Sequence, residues 1–419
     1  MKIRVRERSV DEVLAIPPEP HRTPVKQNPF LRVLVRTLSS GELKQVGFHY
    51  TSEGMERLAS GEPALYLMNH SSFIDLKIAS HLIDRPYHIV CTRDGFVGKA
   101  GLLRALGCIP ARKFITDVPL VSDMTHITRK LRESVLLFPE ASYSFDGTAT
   151  PLPASLGKCV RLLKVPVIMI RTYGAFQRDP LYNGLRLRQV PVSAKMTYLL
   201  SPEEAAKMKP EEINEILREQ FAFDHFAWQK EEGIRISEDF RATGLERALF
   251  RCPVCEKERK MHGEGIRLTC SACGSEWELT ETGELSGPGE HLHIPDWYRY
   301  ERACIRRELE DGTYREEVPV DILILADTKA VYRVGEGVLT HDRDGFTLTG
   351  CDGRLSYTQA PAASYSLYAD YFWYEIGDMV CIGDLDRQYY CFPKDPSYPV
   401  ARMRLAAEEL YRITTGAQS

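Results

Sequence analysis

The stretch Asn69-His70-Ser71-Ser72-Phe73-Ile74-Asp75 decides the fold of the first half of the chain, and it couples an imidazole to a carboxylate. The apolar run 64–68 predicts a buried strand, and the serines before 73–82 predict the cap of a helix. On one continuous helix His70 and Asp75 would face different sides, because each residue turns the helix by about 100°. A strand-to-helix corner lets Asp75 hold one ring nitrogen while His70 takes a proton from an alcohol.

Three further blocks follow this stretch, namely 107–113, Phe138-Pro139-Glu140 and Val165-Pro166-Val167. In this order and spacing, residues 45–200 resemble the glycerolipid acyltransferase family, which carries Asn-His-x-x-x-x-Asp, Gly…Arg, Phe-Pro-Glu-Gly and Val-Pro-Val. The resemblance implies an α/β domain with a central sheet flanked by helices, and acyl transfer with His70 as general base oriented by Asp75. The alternative is a core histidine beside a carboxylate that faces a helix dipole.

The third block departs from the family at Ala141-Ser142-Tyr143-Ser144, where the family reads Gly-Thr-Arg-Ser. The family's Arg is thought to grip the phosphate of the acceptor, and Tyr143 offers only a hydroxyl there. Either another cation holds the phosphate or the acceptor carries none. The family's basic residue in the second block corresponds to Arg112 or Lys113. Further substrate-binding residues that the resemblance implies are Lys99 for phosphate, Glu140 for the acceptor's polar head, and Pro166 for the wall beside the site.

The resemblance implies 1-acylglycerol 3-phosphate as the acceptor, acylated to phosphatidic acid, and acyl-carrier protein or acyl-coenzyme A as the donor. The charge distribution favours anionic ligands, because residues 85–200 contain 17 Lys and Arg against 7 Asp and Glu, in a chain whose net charge is −4. A patch of one sign raises the local concentration of oppositely charged ligands. Phosphopantetheine thioesters, an acidic carrier protein or anionic lipid headgroups fit this patch.

The N-terminal range 1–44 predicts an amphipathic segment that associates with a membrane. Asn28 caps and Pro29 opens a helix through Leu38, and residues 1–36 carry 8 basic and 4 acidic residues, which favours an anionic surface. Packing of this helix on the acyltransferase domain, predicted over 45–245, is the other interpretation. No run approaches the roughly 18–20 apolar residues of a spanning helix, and the N-terminus lacks a signal-peptide core. We therefore expect a cytoplasmic protein at the inner face of the membrane.

Four cysteines in two pairs, at 252–255 and 270–273, have the spacing of a zinc ribbon, predicted over 248–287. Four thiolates complete a tetrahedral shell with no open position, so the sequence predicts a structural Zn²⁺. The predicted ligands are Cys252, Cys255, Cys270 and Cys273. Zinc ribbons often bind nucleic acid, but the basic residues here are offset by acidic neighbours, so nucleic acid is not the expected partner.

The range 288–419 predicts a mostly antiparallel β domain, because nine short alternating segments separated by turn pairs follow a helix over 296–309. The segments are 321–326, 330–334, 337–340, 346–349, 355–358, 365–368, 372–376, 379–383 and 388–392. A final amphipathic helix closes this run of antiparallel strands, and the arrangement resembles the pleckstrin-homology-like fold. Such folds bind lipids or peptides, so the architecture alone assigns no function.

Two other functions are compatible with these patterns. The first is a non-catalytic regulator that binds lipid or acyl-carrier protein on the acyltransferase scaffold, against which the intact His70 and Asp75 argue. The second is a nucleic-acid-binding protein built around the zinc ribbon. A steep dependence of binding on salt would distinguish the second, since phosphate contacts release counterions.

Overall fold

A computed structural model describes residues 2–417, so Met1, Gln418 and Ser419, at the ends of the predicted ranges 1–44 and 288–419, lie outside the described residues. The first 245 residues contain eight strands and ten α-helices among the described residues. These are β1 Val5–Glu7, α1 Val10–Leu14, α2 Pro29–Gln45, β2 His49–Glu53, β3 Leu65–Met68, α3 Ile74–Leu82, β4 Tyr87–Thr92, α4 Ala100–Ala105, β5 Cys108–Ala111, α5 Val118–His126, β6 Ser134–Leu137, α6 Leu156–Leu163, β7 Val167–Tyr173, α7 Ala175–Arg178, β8 Ser193–Leu200, α8 Pro202–Lys207, α9 Pro210–Phe221 and α10 His225–Glu231.

A seven-stranded sheet with the order β2-β8-β7-β3-β6-β4-β5 forms the centre of the first domain. All neighbouring pairs in it are parallel except β7 with β8. Helices cover both faces, which explains why β3 reads as an unbroken apolar run with all four side chains buried. Each such side chain contributes roughly 1.5–3 kcal/mol by leaving water. The predicted central sheet flanked by helices is confirmed.

The parallel strands β3, β6 and β7 end at the same edge of this sheet, and their carboxyl ends bring distant segments together. The corner 69–75 follows β3, and the block that contains Glu140 follows β6. Loops at the carboxyl edge of an α/β sheet are the usual location of binding sites. Pro166 lies at the opposite edge, because it immediately precedes β7 and its carbonyl oxygen accepts from the amide of Leu65 at the start of β3.

A small four-stranded sheet follows, with β9 Met261–Glu264, β10 Arg267–Cys270, β11 Glu276–Leu279 and β12 Leu285–Ser286 in the order β12-β11-β10-β9. All of its neighbouring pairs are antiparallel. Of the four cysteines, Cys270 ends β10, and Cys252, Cys255 and Cys273 lie in loops. The edge-to-face contact of Trp277 with Trp297, at 4.9 Å between ring centroids, joins the unit to the helix that follows.

The last domain contains an antiparallel sheet, as predicted. Its elements are α11 Ile294–Glu310, β13 Glu316–Leu325, β14 Val331–Asp342, β15 Gly345–Gly350, β16 Leu355–Gln359, β17 Tyr368–Trp373, β18 Gly377–Gly383, β19 Gln388–Pro393 and α12 Val400–Thr415. The strand order is β16-β15-β14-β13-β19-β18-β17. Two pairs of predicted segments turn out to be single strands. The segments 330–334 and 337–340 merge into β14. The range 365–376, predicted as two segments, contains one strand with a register shift. The likeness to a pleckstrin-homology fold stays a prediction.

The N-terminal range 1–44 is divided between the two large domains. Strand β1 adds a parallel strand to β14, and Val10 and Val13 of α1 are buried in the core that the small sheet and the C-terminal domain share. Helix α2 instead packs against α3 of the first domain. The range is therefore not one surface segment, because Val10 and Val13 are buried in the core of the C-terminal half.

Helix α2 begins as predicted. The side-chain oxygen of Asn28 accepts from the amides of Phe30 and Leu31 at 3.0 and 3.1 Å, and Pro29 occupies the first turn, where no amide donor is needed. The helix extends to Gln45, beyond the predicted end at Leu38. Among the helices of residues 2–417, none combines the length and the apolar character of a membrane-spanning segment.

Candidate active site

His70 and Asp75 meet at the corner between β3 and α3. The Nδ1 atom of His70 lies 3.3 Å from Oδ2 of Asp75, which is completely buried. The same carboxylate oxygen accepts from the amides of Ser71 and Ser72 at 2.7 and 2.9 Å. These amides fix the carboxylate in the loop, so its direction towards the imidazole is determined by the backbone. Because Nδ1 faces Asp75, Nε2 is the nitrogen that remains for a substrate hydroxyl.

The surroundings of His70 favour a neutral imidazole. Burial lowers its pKa below the ordinary value of 6.5, while the hydrogen bond and charge of Asp75 raise it and only partly offset the burial. The ring lies between two aromatic rings, with centroid distances of 4.3 Å to Phe138 and 4.1 Å to Tyr143. A neutral imidazole at pH 7 can accept a proton, which is what a general base requires.

Asn69, the first residue of the motif, anchors the corner to the neighbouring strand. Its side-chain oxygen accepts from the amide of Thr172 at 2.8 Å, and its amide group donates to Oγ of Ser71 at 3.0 Å. Nε2 of the buried His225 lies 3.2 Å from the same Oγ, and burial lowers the pKa of His225 to about 3. Nothing in the local sequence pointed to Thr172 or His225, because 103 and 154 residues separate them from their partners.

Glu140 binds the backbone of the corner and does not line the cavity beside His70. One carboxylate oxygen accepts from the backbone amide of His70 at 2.8 Å, and the other accepts from the amide of Thr150 at 2.9 Å. Burial raises the pKa of Glu140 to about 7. The sequence predicts that Glu140 contacts the acceptor's polar head. In the structure, its carboxylate instead connects two loops by accepting hydrogen bonds from their backbone amides.

Tyr143 forms one wall beside the base. Its ring covers His70, and its carbonyl oxygen accepts from Nη1 of Arg404 on α12 at 3.3 Å. Two residues earlier, Ala141 has a φ of 55°, a left-handed conformation in which the glycine of the family motif would be unstrained. The departure from the family pattern therefore replaces a cation by an aromatic ring at the site itself.

A cavity of 1540 Å³ opens in front of His70, and both large domains line it. The first domain contributes segments that include Phe73, Leu76, 111–118 and the loop after β6. The C-terminal domain contributes an aromatic wall, made of Tyr365, Tyr368, Tyr371, Phe372, Trp373 and Tyr374. This wall was not predictable from the sequence, in which no motif connects the C-terminal domain with the site.

Of the three cations predicted to bind phosphate, two line the cavity and one does not. Arg112 lines the cavity, but its Nη1 lies 3.3 Å from Oδ2 of Asp117, which caps α5. Lys113 also lines the cavity, with Nζ 3.7 Å from the centre of the Tyr368 ring, and burial lowers its pKa to about 8. Neither Lys99, which precedes α4, nor Pro166, at the far edge of the sheet, lines the cavity.

The four cysteines of the small domain form a cluster whose sulfur atoms all lie within 4.8 Å of one another. Sγ of Cys252 lies 3.8 Å from that of Cys273, and Sγ of Cys255 lies 3.7 Å from that of Cys270. A tetrahedron with metal–sulfur bonds of about 2.3 Å has edges of about 3.8 Å, so these separations fit a tetrahedral thiolate shell. The four cysteines can therefore bind a metal ion.

For the acyl transfer that the sequence predicts, the Asp75→Asn variant should lower the rate roughly 100- to 10,000-fold and shift its pH dependence. The carboxylate raises the pKa of His70, so its loss should move the acid limb of kcat/KM to lower pH, from a wild-type midpoint already below 6.5. Rate profiles between pH 4 and 9 test this, with the exposed Asp352→Asn as control. An unchanged midpoint would show that Asp75 does not influence the pKa of the catalytic base.

Residues 49–172 match the model of the Acyltransferase family. Comparison with curated proteins returns no match. Among solved structures, the chain is similar to the 1-acyl-sn-glycerophosphate acyltransferase of Thermotoga maritima, at 16% identity and a TM-score of 0.35, covering 46% of this chain and 80% of that one. The range that the family model matches includes His70, Asp75 and Glu140, so the corner described above lies in the part of the chain that is similar to this family.

Proposed function

We propose that this chain is an O-acyltransferase that moves a fatty acyl group from the thioester of an acyl-carrier protein or coenzyme A to the hydroxyl of a lysophospholipid. The observation that carries the proposal is the pair of His70 and Asp75 at the wall of a large cavity, within a range that matches the Acyltransferase family. A large, mostly apolar cavity suits a lipid acceptor.

In the proposed reaction, Nε2 of His70 removes the proton from the acceptor hydroxyl as its oxygen attacks the thioester carbonyl carbon. The charge of Asp75 stabilises the imidazolium that forms. The tetrahedral intermediate then collapses, the carbon–sulfur bond breaks, and the thiolate takes the proton from His70. The ester product and the free thiol leave, and His70 returns to its neutral state without an acyl-enzyme.

Charge supports an anionic donor at this cavity. Arg129, Lys130 and Lys158 are exposed residues that also line it, on α6 and on the turn after α5. A thioester carried on phosphopantetheine brings phosphate groups, and an acyl-carrier protein brings an acidic surface. Opposite charges at the rim would raise the rate of association with either donor. The family resemblance names 1-acylglycerol 3-phosphate as the acceptor.

A radiolabelled acyl-transfer assay tests the proposal. Purified protein receives acyl-coenzyme A or acyl-carrier thioesters together with a panel of lysophospholipids, and lipid mass spectrometry identifies the product. We expect a diacyl phospholipid that forms in proportion to enzyme. Absence of transfer from both donors to every lysophospholipid, with a folded protein, would favour the non-catalytic regulator.

Helix α2 is the proposed contact with an anionic membrane surface. Phe30, Val33, Leu34 and Leu38 follow one stripe of the helix, and Phe30 and Leu38 are 73% and 72% exposed. Phe73 at the cavity is also exposed, so a lipid acceptor could pass from the surface to His70. Peripheral attachment would thus deliver the substrate.

The Phe30→Glu, Leu38→Glu double variant should weaken binding to vesicles that contain anionic lipid at least about tenfold, because two apolar side chains lose their burial and two negative charges are added. Vesicle co-sedimentation measures this. Leu385→Glu, which adds a charge at an exposed leucine of the C-terminal domain, is the matched control. Equal binding of the double variant and wild type would exclude α2 as the membrane contact.

We also propose that the ion bound by Cys252, Cys255, Cys270 and Cys273 is a structural Zn²⁺. Zinc is the metal that tetrahedral sites with four sulfur ligands most often select, and four ligands leave no position for water or substrate. The cluster lies in a separate sheet from His70, so its contribution is to folding.

A further inference from the structure

Asp370 gives the cavity a carboxylate that comes from the C-terminal domain. It lies on β17, is partly exposed, and lines the same cavity as His70 and Lys113. Burial raises its pKa to about 7, and the positive charge of Lys113 opposes this rise. The charge of Asp370 in turn contributes to the raised pKa of Tyr143, whose ring covers His70. Asp370, Tyr143 and His70 all line this cavity.

Lys113 lines the same cavity from the first domain. Its ammonium group lies against the ring of Tyr368, two residues before Asp370 on the same strand, and its charge lowers the pKa of His70. The neighbouring Arg112 is paired with Asp117. Lys113 is thus the cation best placed to bind an anion next to His70. The carboxylate of Asp370 lines the same cavity.

Lys113 together with Asp370 suits a ligand that carries one negative charge better than a ligand that carries two. A phosphomonoester carries about −1.5 to −2 charges at pH 7, whereas Lys113 supplies a single positive charge at this part of the cavity. Asp370 in its ionised form would repel the larger charge of a phosphomonoester at Lys113 more than the single charge of a phosphodiester. A phosphodiester carries a single charge, and an amine or hydroxyl group beyond it could donate a hydrogen bond to the carboxylate.

We propose that Lys113 and Asp370 form the acceptor's headgroup site, and that the acceptor is a lysophospholipid whose phosphodiester carries a hydrogen-bond-donating headgroup. This inference rests on the proposed acyl transfer and names its substrate class. Lys113 binds the phosphodiester, and Asp370 accepts from the headgroup. The C-terminal domain is then the part of the chain that selects the acceptor, since β17 supplies the carboxylate.

The test compares kcat/KM for three acceptors that share one acyl chain: 1-acylglycerol 3-phosphate, its phosphoethanolamine diester and its phosphoglycerol diester. The last two distinguish an amine from a hydroxyl donor. Wild type should use at least one diester about tenfold or more better than the monoester. Asp370→Asn should reduce this preference about 10- to 100-fold, the scale of one charged hydrogen bond, and Asp370→Glu should retain part of it.

Lys113→Gln should weaken all three acceptors about 10- to 100-fold, whereas Asp352→Asn and Lys329→Gln, at exposed positions of the same C-terminal domain, should leave the ratios unchanged. Thermal melting confirms that each variant folds. Preference of wild type for the monoester, or an unchanged ratio in Asp370→Asn, would overturn the inference while acyl transfer stands. Absence of transfer to all three acceptors would instead remove the proposed function.

Discussion

Replacement of His70 by alanine is expected to lower the acyl-transfer rate by roughly 100- to 10,000-fold, the range that a positioned general base contributes. The loss should fall mainly on kcat, because the imidazole acts when the hydroxyl attacks. Its ring contacts Phe138 and Tyr143 on one side of an open cavity, so removal leaves space that solvent can fill and the fold should persist. Steady-state kinetics with a radiolabelled thioester measure the effect.

The matched control for this prediction is His49→Ala, which removes an exposed histidine from strand β2 of the same domain. It should retain the wild-type rate. Circular dichroism and the melting temperature show whether His70→Ala remains folded. A folded His70→Ala protein with near-wild-type turnover would refute the proposed mechanism and direct attention to a base elsewhere in the cavity.

Loss of the bound ion is expected to cause the largest change in stability. Purified protein should contain about one zinc per chain, and chelation or Cys270→Ser should unfold the small sheet, since complete thiolate shells contribute about 10–16 kcal/mol in zinc-finger peptides. The small sheet shares its core with the C-terminal domain, where Trp277 packs on Trp297. Unfolding should therefore expose two buried tryptophans and shift fluorescence to longer wavelength.

Metal analysis by mass spectrometry and tryptophan fluorescence during chelation test this prediction. Cys159→Ser, a change on helix α6 outside the cluster, is the control and should keep the full zinc content. Protein without zinc or another thiophilic ion, or an unchanged spectrum after chelation, would exclude a structural metal. Re-addition of Zn²⁺ should restore the original emission.

Local patterns predicted most of the regular structure. Strand β3 and helix α3 agree with the apolar run 64–68 and the predicted helix over 73–82 to within one residue, because burial on both faces and capping are written in neighbouring residues. The merging of 330–334 and 337–340 into one strand was not predictable from the same rules. Pairing with β13, which includes one register shift, carries β14 through Gly335 and Glu336 between those segments.

By itself, the sequence determined the corner that joins His70 to Asp75, the cysteine cluster and the order of the domains, since each depends on short spacings along the chain. Only the tertiary structure decided that Glu140 supports the backbone of His70, and that Asp370 and the aromatic strand β17 complete the cavity. These contacts join residues tens to hundreds of positions apart. They arise from the packing of one domain on another, which no local periodicity encodes.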